Sequence, residues 1–390
     1  MTPFPDARAR ILERCAPLGT EMVSLADLSG RVFAEGLVSP FDVPHFDNSQ
    51  VDGYALRASD AGPRRIVGTS AAGAAWEGTV GSGQAVRILT GAPMPEGADA
   101  VAMQEDASVA GEVLTLTQPV AEGENIRYRG EEITSGTSFN LVGTLATPPL
   151  VGFAASLGLT NLTVFRRPRA AIVATGDELA EPGQRLRPGQ VYASNLPALS
   201  AALELLGIEA TVHLVRDDEE ATRRTLAAAL EASDILLTVG GVSVGDRDLV
   251  RPSLAALGVE EVFWRVAMKP GKPFYFGVQG ERKVFGLPGN PVSALVTFHT
   301  LVRPALRKML GLSNPEEDLT ALLGTPIERR DLRYELVRAT LKDGTATPVQ
   351  NQGSHMQTGL AAAHALLHIP DGVASLNSGS PVTVTPLRWS

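Results

Sequence analysis

The sequence predicts a multidomain protein of mixed α/β and β class. A central doubly wound α/β domain is expected at 166–312, a β-rich inserted module at 44–126, a discontinuous N-terminal domain from 1–43 plus 127–165, and a small C-terminal β domain at 313–390. Three observations carry this. Apolar runs alternate with helical patterns between Arg166 and Gly311. Residues 44–126 are instead rich in Gly, Pro and short alternating runs such as Ala85-Val-Arg-Ile-Leu89 and Glu112-Val-Leu-Thr-Leu-Thr117. After Leu312 the pattern changes again, to the strand-like runs 334–341 and 382–385.

Taken in order, helices are expected at 6–15 and 150–157 in the N-terminal domain. The central domain opens with a strand at 170–174 and a helix at 195–206, where Leu196, Leu199, Leu203 and Leu206 recur at helical spacing. A strand at 210–215 follows, then a helix at 219–231 that Asp218 can cap. The run 235–239 is too short and too β-branched for a helix and reads as a buried parallel strand. A helix at 249–257, strands near 262–266 and 274–276, and a long helix opening at Pro291 complete the domain; proline suits a first helical turn. In the C-terminal domain Asp343-Gly344 is expected to close a hairpin.

The chain has 390 residues, 44% of them hydrophobic, enough for several cores. Its net charge of -9 argues against bulk nucleic-acid binding, which needs a basic footprint. An anionic ligand must therefore be met locally, by Lys, Arg, backbone N–H groups or a metal. A single cysteine, Cys15, excludes a disulfide framework and a Cys-rich metal cluster. No run approaches the roughly 18 apolar residues that span a bilayer, and the N-terminus lacks an apolar signal core, so no membrane is implied and a cytoplasmic location is expected.

The loops after the predicted strands hold the unusual chemistry, and the carboxyl ends of parallel strands are where open α/β sheets bind ligands. After 235–239, Gly240, Gly241 and Gly245 let the backbone bring N–H groups close to an anion beside the Ser243 hydroxyl, and Asp246 and Asp248 can hold a metal against it. An ordinary strand-to-helix turn with an Asp cap is the alternative. Thr175-Gly-Asp-Glu178 places two carboxylates after another strand, as a site or as a solvated turn. For Val215-Arg-Asp217-Asp218, helix capping is the stronger explanation.

Pro288-Gly289-Asn290-Pro291 forms a stiff turn ahead of Ser293, with the following helix aiming its free N–H groups forward at a phosphate. Lys269-Pro-Gly-Lys272-Pro locks two ammonium groups between prolines, which suits a fixed oxyanion site; two surface lysines at a turn are the alternative. Asp52 precedes Gly53 where a close backbone approach lets it reach a ligand, while Asp47, Asn48 and Ser49 can simply form an Asx turn. Thr90-Gly-Ala-Pro93, Arg127 to Glu132 and Asn351-Gln-Gly-Ser354-His355 have similar density. The Walker and G-x-G-x-x-G spacings and H-E-x-x-H are missing, which disfavours P-loop kinases and dinucleotide oxidoreductases; no histidine is assigned a role.

Together these loops resemble the molybdopterin molybdenumtransferases, the MoeA family that includes the E domain of gephyrin. The resemblance spans nearly the whole chain and rests on FDNSQVDGYALR, ILTGAPMPEGADAVAMQE, ATGDEL, TVGGVSVGDRD, KPGKPF, GLPGNPVSA and NQGSH, in the family's order. It implies a molybdopterin-binding central domain, and insertion of molybdate into the dithiolene of adenylylated molybdopterin with release of AMP. Asp52 and Glu178 are implied as acids of the transfer chemistry, and Asp217 and Asp248, joined by Asp246, as magnesium ligands. Thr90, Glu132, the Gly240, Gly241, Ser243 and Gly245 loop and the 288–291 loop are implied in substrate binding. Lys269, Lys272, Ser293, Arg333 and Ser354 are implied around molybdate.

The family also implies a homodimer with shared active sites, a molybdopterin adenylyltransferase upstream and molybdoenzyme acceptors downstream. Glu132 stands where Asp is common, Gln50-Val51 replaces an Ala-Met pair, and Arg265 replaces a frequent Lys. A molybdopterin adenylyltransferase or competence-damage protein accounts only for 166–311. A gephyrin-like scaffold needs a further domain and long linker.

Overall fold

Along the strand Ala170–Thr175 every side chain is buried, and successive ones enter two different cores. Ile172 and Ala174 pack with Leu196, Leu199 and Leu203 of the helix Asn195–Glu204. Ala171 and Val173 pack with Leu226 and Leu230 of Glu219–Ala232 and with Leu254 of Val250–Ala256. Helices therefore cover both faces of one sheet, which is the doubly wound layer that the sequence predicts. These relations come from a computed structural model describing residues 1–241, 249–313 and 318–389.

The sheet has six strands in the order Ala210–Val215, Ala170–Thr175, Ile235–Val239, Arg282–Leu287, Tyr275–Gln279 and Glu260–Trp264. The first four run parallel, and Tyr275–Gln279 runs antiparallel to the neighbours on both its sides. Asp218 caps Glu219–Ala232, its Oδ1 accepting from the Ala221 amide at 2.7 Å. Asp218→Ala is expected to cost about 1 kcal/mol, the usual loss of such a cap, read as a lower urea midpoint at unchanged slope.

Two expectations need correction. The strand read at 262–266 is two strands, Glu260–Trp264 and Val266–Lys269, because Arg265 between them adopts a left-handed φ of 68°. The guanidinium groups of Arg251 and Arg265 flank the Trp264 ring, 3.7 and 3.9 Å from its centroid. Val266–Lys269 leaves the central sheet and pairs in parallel with Tyr334–Lys342. The second correction is the strand Arg282–Leu287, absent from the expected elements because its apolar end runs without a break into the 288–291 loop.

In the C-terminal region Tyr334–Lys342, Thr345–Pro348, Leu319–Leu323, Pro381–Pro386 and Ala365–Ile369 pair in succession, and the last pairs back on the first. The ring closes as a small barrel around Leu323, Val337, Ala339, Leu367 and Val384. Lys342 pairs with Thr345, so Asp343 and Gly344, at φ 48° and 72°, form the two-residue hairpin turn expected.

The chain packs as two compact units, Met1–Ala34 with Val142–Thr147 and Asn161–Ser390, and Glu35–Leu141 with Pro148–Thr160. The second unit is built on a six-stranded sheet in the order Ala100–Met103, Gly53–Leu56, Gln84–Ile88, Arg64–Ser70, Val113–Leu116 and Ala107–Ala110. Glycine is required at position 53, since a Cβ there would lie 2.0 Å from the Ala102 carbonyl oxygen. No described helix is long and apolar enough to cross a membrane.

Candidate functional site

Three neighbouring parallel strands of the first unit end at one place. The end of Ala170–Thr175 meets the loop after Ile235–Val239, where a Cβ on Gly240 would come within 3.1 Å of the Thr175 carbonyl oxygen and one on Gly241 within 3.2 Å of Thr175 Oγ1. Both glycines have left-handed φ, 82° and 62°, so the close approach depends on them. Gly240 also donates to the Leu287 carbonyl at 3.3 Å, tying in the strand that leads to 288–291. On the other side, Asp217 Oδ2 accepts from the Asp177 amide at 3.4 Å.

Beside these ends lies a cleft of about 870 Å³, lined by Thr175, Glu178, Asn195, Pro288, Gly289, Asn290, Pro291 and Ser293 among others. Asn195 donates from Nδ2 to the Gly289 carbonyl at 2.8 Å. Its Oδ1 is buried and has no partner among the described residues. A second cavity of about 490 Å³ is lined by Lys269, Lys272, Ser293, Arg333 and Ser354, so all five residues that the family resemblance implies around an oxyanion line one cavity. Pro273, Asn290 and Ser293 line both cavities. Asn290 spans the join, donating from Nδ2 to Ser354 Oγ at 3.1 Å.

Charge in the smaller cavity is not simply positive. Glu335 lines it too, with Oε1 2.8 Å from Lys269 Nζ and Oε2 3.6 Å from Arg329 Nη1. Arg333 is chelated by Asp331, and the guanidinium holds that carboxyl well below the usual carboxylate range. Lys272 is exposed and meets no carboxylate among the described residues, so its ammonium is the cation most open to an incoming anion.

Asp52, Thr90 and Glu132 lie in the second unit. Thr90 donates to Asp52 Oδ1 from its amide at 2.7 Å and its hydroxyl at 2.8 Å. The amide first, and then the hydroxyl, lower the pKa of Asp52. The carboxylate thus stays ionised to lower pH than an ordinary Asp, and whatever it contributes is lost only as pH falls through that depressed value. Thr90→Val removes the hydroxyl and keeps the amide, so the Asp52 pKa is expected to rise part of the way to normal; a carboxyl-carbon NMR titration that leaves it in place would contradict this. Glu132 is exposed and its amide donates to the Val43 carbonyl at 3.1 Å. Ser243, Gly245, Asp246 and Asp248 lie outside the described residues.

Residues that the sequence did not single out also line the cleft. Asn195 looks locally like the start of an apolar helix, and only its bond to Gly289 reveals another use. His355, assigned no role above, lines the cleft with Gln357. The dense run 351–355 was its only signal.

The chain is 34% identical to the molybdopterin molybdenumtransferase of Haemophilus influenzae, over 100% of this chain and 99% of that one. It belongs to the MoeA family of molybdopterin molybdenumtransferases. Residues 2–158 match the family described as MoeA N-terminal region (domain I and II), 171–308 the "Probable molybdopterin binding domain", and 320–387 the MoeA C-terminal region (domain IV). A Mycobacterium tuberculosis relative, molybdopterin molybdenumtransferase 2, is 36% identical over 97% of each chain. The crystal structure of the molybdopterin biosynthesis MoeA protein from Pyrococcus horikoshii superposes with a TM-score of 0.86 at 32% identity, covering 99% of each chain. The family is one of transferases in molybdenum cofactor biosynthesis, and this chain is an enzyme of that kind.

Proposed function

We propose that the enzyme inserts molybdate into the dithiolene of adenylylated molybdopterin and releases AMP. The observation carrying this reading is the junction of two cavities. A cleft at the strand ends, sized for a pterin nucleotide, opens beside a smaller pocket with three cations, and Asn290 and Ser293 belong to both. In this reading the 288–291 turn and the glycines 240 and 241 present backbone to phosphate, and the unpartnered Asn195 Oδ1 accepts a pterin N–H. Lys269, Lys272, Ser293, Arg333 and Ser354 hold molybdate as substrate, and Glu178 and Asp52 supply the acids of the transfer.

Magnesium is the implied cation, and it would neutralise phosphate charge when bound. Asp217 suits it as a hard oxygen donor in the loop after Ala210–Val215, where it meets the Asp177 amide. No group of three acidic, His or Cys residues that could hold a metal occurs among the described residues, and the other proposed ligands, Asp246 and Asp248, lie outside them.

We further propose that the active form is a homodimer with the Asp52 module of one subunit serving the pocket of the other. Support comes from the residence of Asp52 in a compact unit separate from that of Lys272. A molybdopterin adenylyltransferase upstream and molybdoenzyme acceptors downstream are its expected partners. The deciding assay supplies adenylylated molybdopterin and magnesium with and without molybdate. AMP should appear only with molybdate; equal release in its absence would sink the reading.

A further inference from the structure

Arg338, on the strand Tyr334–Lys342, is 1% exposed, yet no carboxylate among the described residues meets it. Its donors go to one short segment instead. Nε donates to Gln352 Oε1 at 3.3 Å, Nη1 to the Met356 carbonyl at 3.2 Å and Nη2 to the Gly353 carbonyl at 3.2 Å. Gln352 also accepts from the Arg338 amide at 3.1 Å, and returns its own Nε2 to the carbonyls of Arg338, at 2.7 Å, and Val349, at 2.9 Å. One planar fork thus grips the turn at 352–356 from both ends.

That turn carries Ser354. The Ser354 hydroxyl accepts from Asn290 Nδ2 at 3.1 Å and its carbonyl from the Val292 amide at 3.3 Å, so it joins the barrel to the start of the helix Pro291–Thr297. A buried guanidinium without an acid partner is a costly way to gain stability, since apolar residues of similar volume fill a core at least as well. It is well suited to fixing carbonyl positions, because its donors are set in one plane.

We propose that Arg338 is a positioning residue for the oxyanion pocket, setting Ser354 through Gln352, Gly353 and Met356. This rests on the reading of that pocket as the molybdate site. The fork holds the turn before any ligand arrives, so the anion meets Ser354 already in place and the ordering cost is met in folding.

Calorimetric titration of molybdate into the full-length protein tests it, alongside molybdate-dependent AMP release. Arg338→Lys keeps the charge but loses the fork, and Gln352→Ala removes the acceptor while leaving the guanidinium. Both are expected to weaken molybdate binding by about ten-fold and to raise the half-saturating molybdate to match, with kcat at saturation within about two-fold of wild type. A purely structural role would lower the folded fraction without moving half-saturation. If Arg338→Lys does not fold, Gln352→Ala carries the same test. Unchanged binding in a folded variant, with wild type binding normally, overturns the role of Arg338 alone. Wild-type protein that binds no molybdate overturns the pocket assignment, and this proposal with it.

Discussion

Lys272→Ala is expected to raise the molybdate needed for half-maximal AMP release by roughly ten- to a hundred-fold, the equivalent of about 1.5–3 kcal/mol for a charge-assisted hydrogen bond. Lys272 gives the cleanest reading among the cavity's cations. Lys269 is already 2.8 Å from Glu335, so removing it also changes what that carboxylate does. Arg333 is held by Asp331, so its loss releases an acid beside the pocket. Lys272 has no such partner among the described residues, and its deletion leaves no carboxylate stranded. A molybdate titration identical to wild type would refute its role. Lys272→Arg is a poor control, since a planar fork does not reproduce a compact ammonium.

The largest expected change is a recovery of activity from two damaged proteins. At molybdate far below the Lys272→Ala half-saturation, Asp52→Ala and Lys272→Ala should each be nearly silent. When they are unfolded together and refolded, random pairing in the proposed homodimer makes half the dimers mixed. If each site takes Asp52 from one subunit and Lys272 from the other, a mixed dimer has one intact and one doubly damaged site, so activity returns to roughly a quarter of wild type. Should mixed dimers be confirmed by differential tagging and remain inactive, both residues serve the same subunit's site and the shared arrangement is wrong.

Local pattern was sufficient for much of the architecture. The strand Ile235–Val239, the helix capped by Asp218 and the turn at Asp343 and Gly344 all follow from apolar period, capping and turn chemistry within a few residues of each element. The same short range explains the errors. Nothing in the apolar run around Arg265 announces that its backbone turns left-handed, so one strand was read where two sheets are served.

The order and content of its loops were enough to point to the family of this protein, and that resemblance implied five residues for the oxyanion. That those five line one cavity is a matter of tertiary structure: a strand leaving the central sheet brings Lys269 and Lys272 against the barrel that carries Arg333 and Ser354. Glu335 inside the pocket, Asn195 on Gly289 and the grip of Arg338 on 352–356 were hidden in the sequence, where they read as an ordinary strand acid, a helix start and a strand cation. Periodicity reports which way a side chain faces relative to its neighbours in sequence, but a polar group's role depends on partners that folding brings from distant segments, and those only the folded chain identifies.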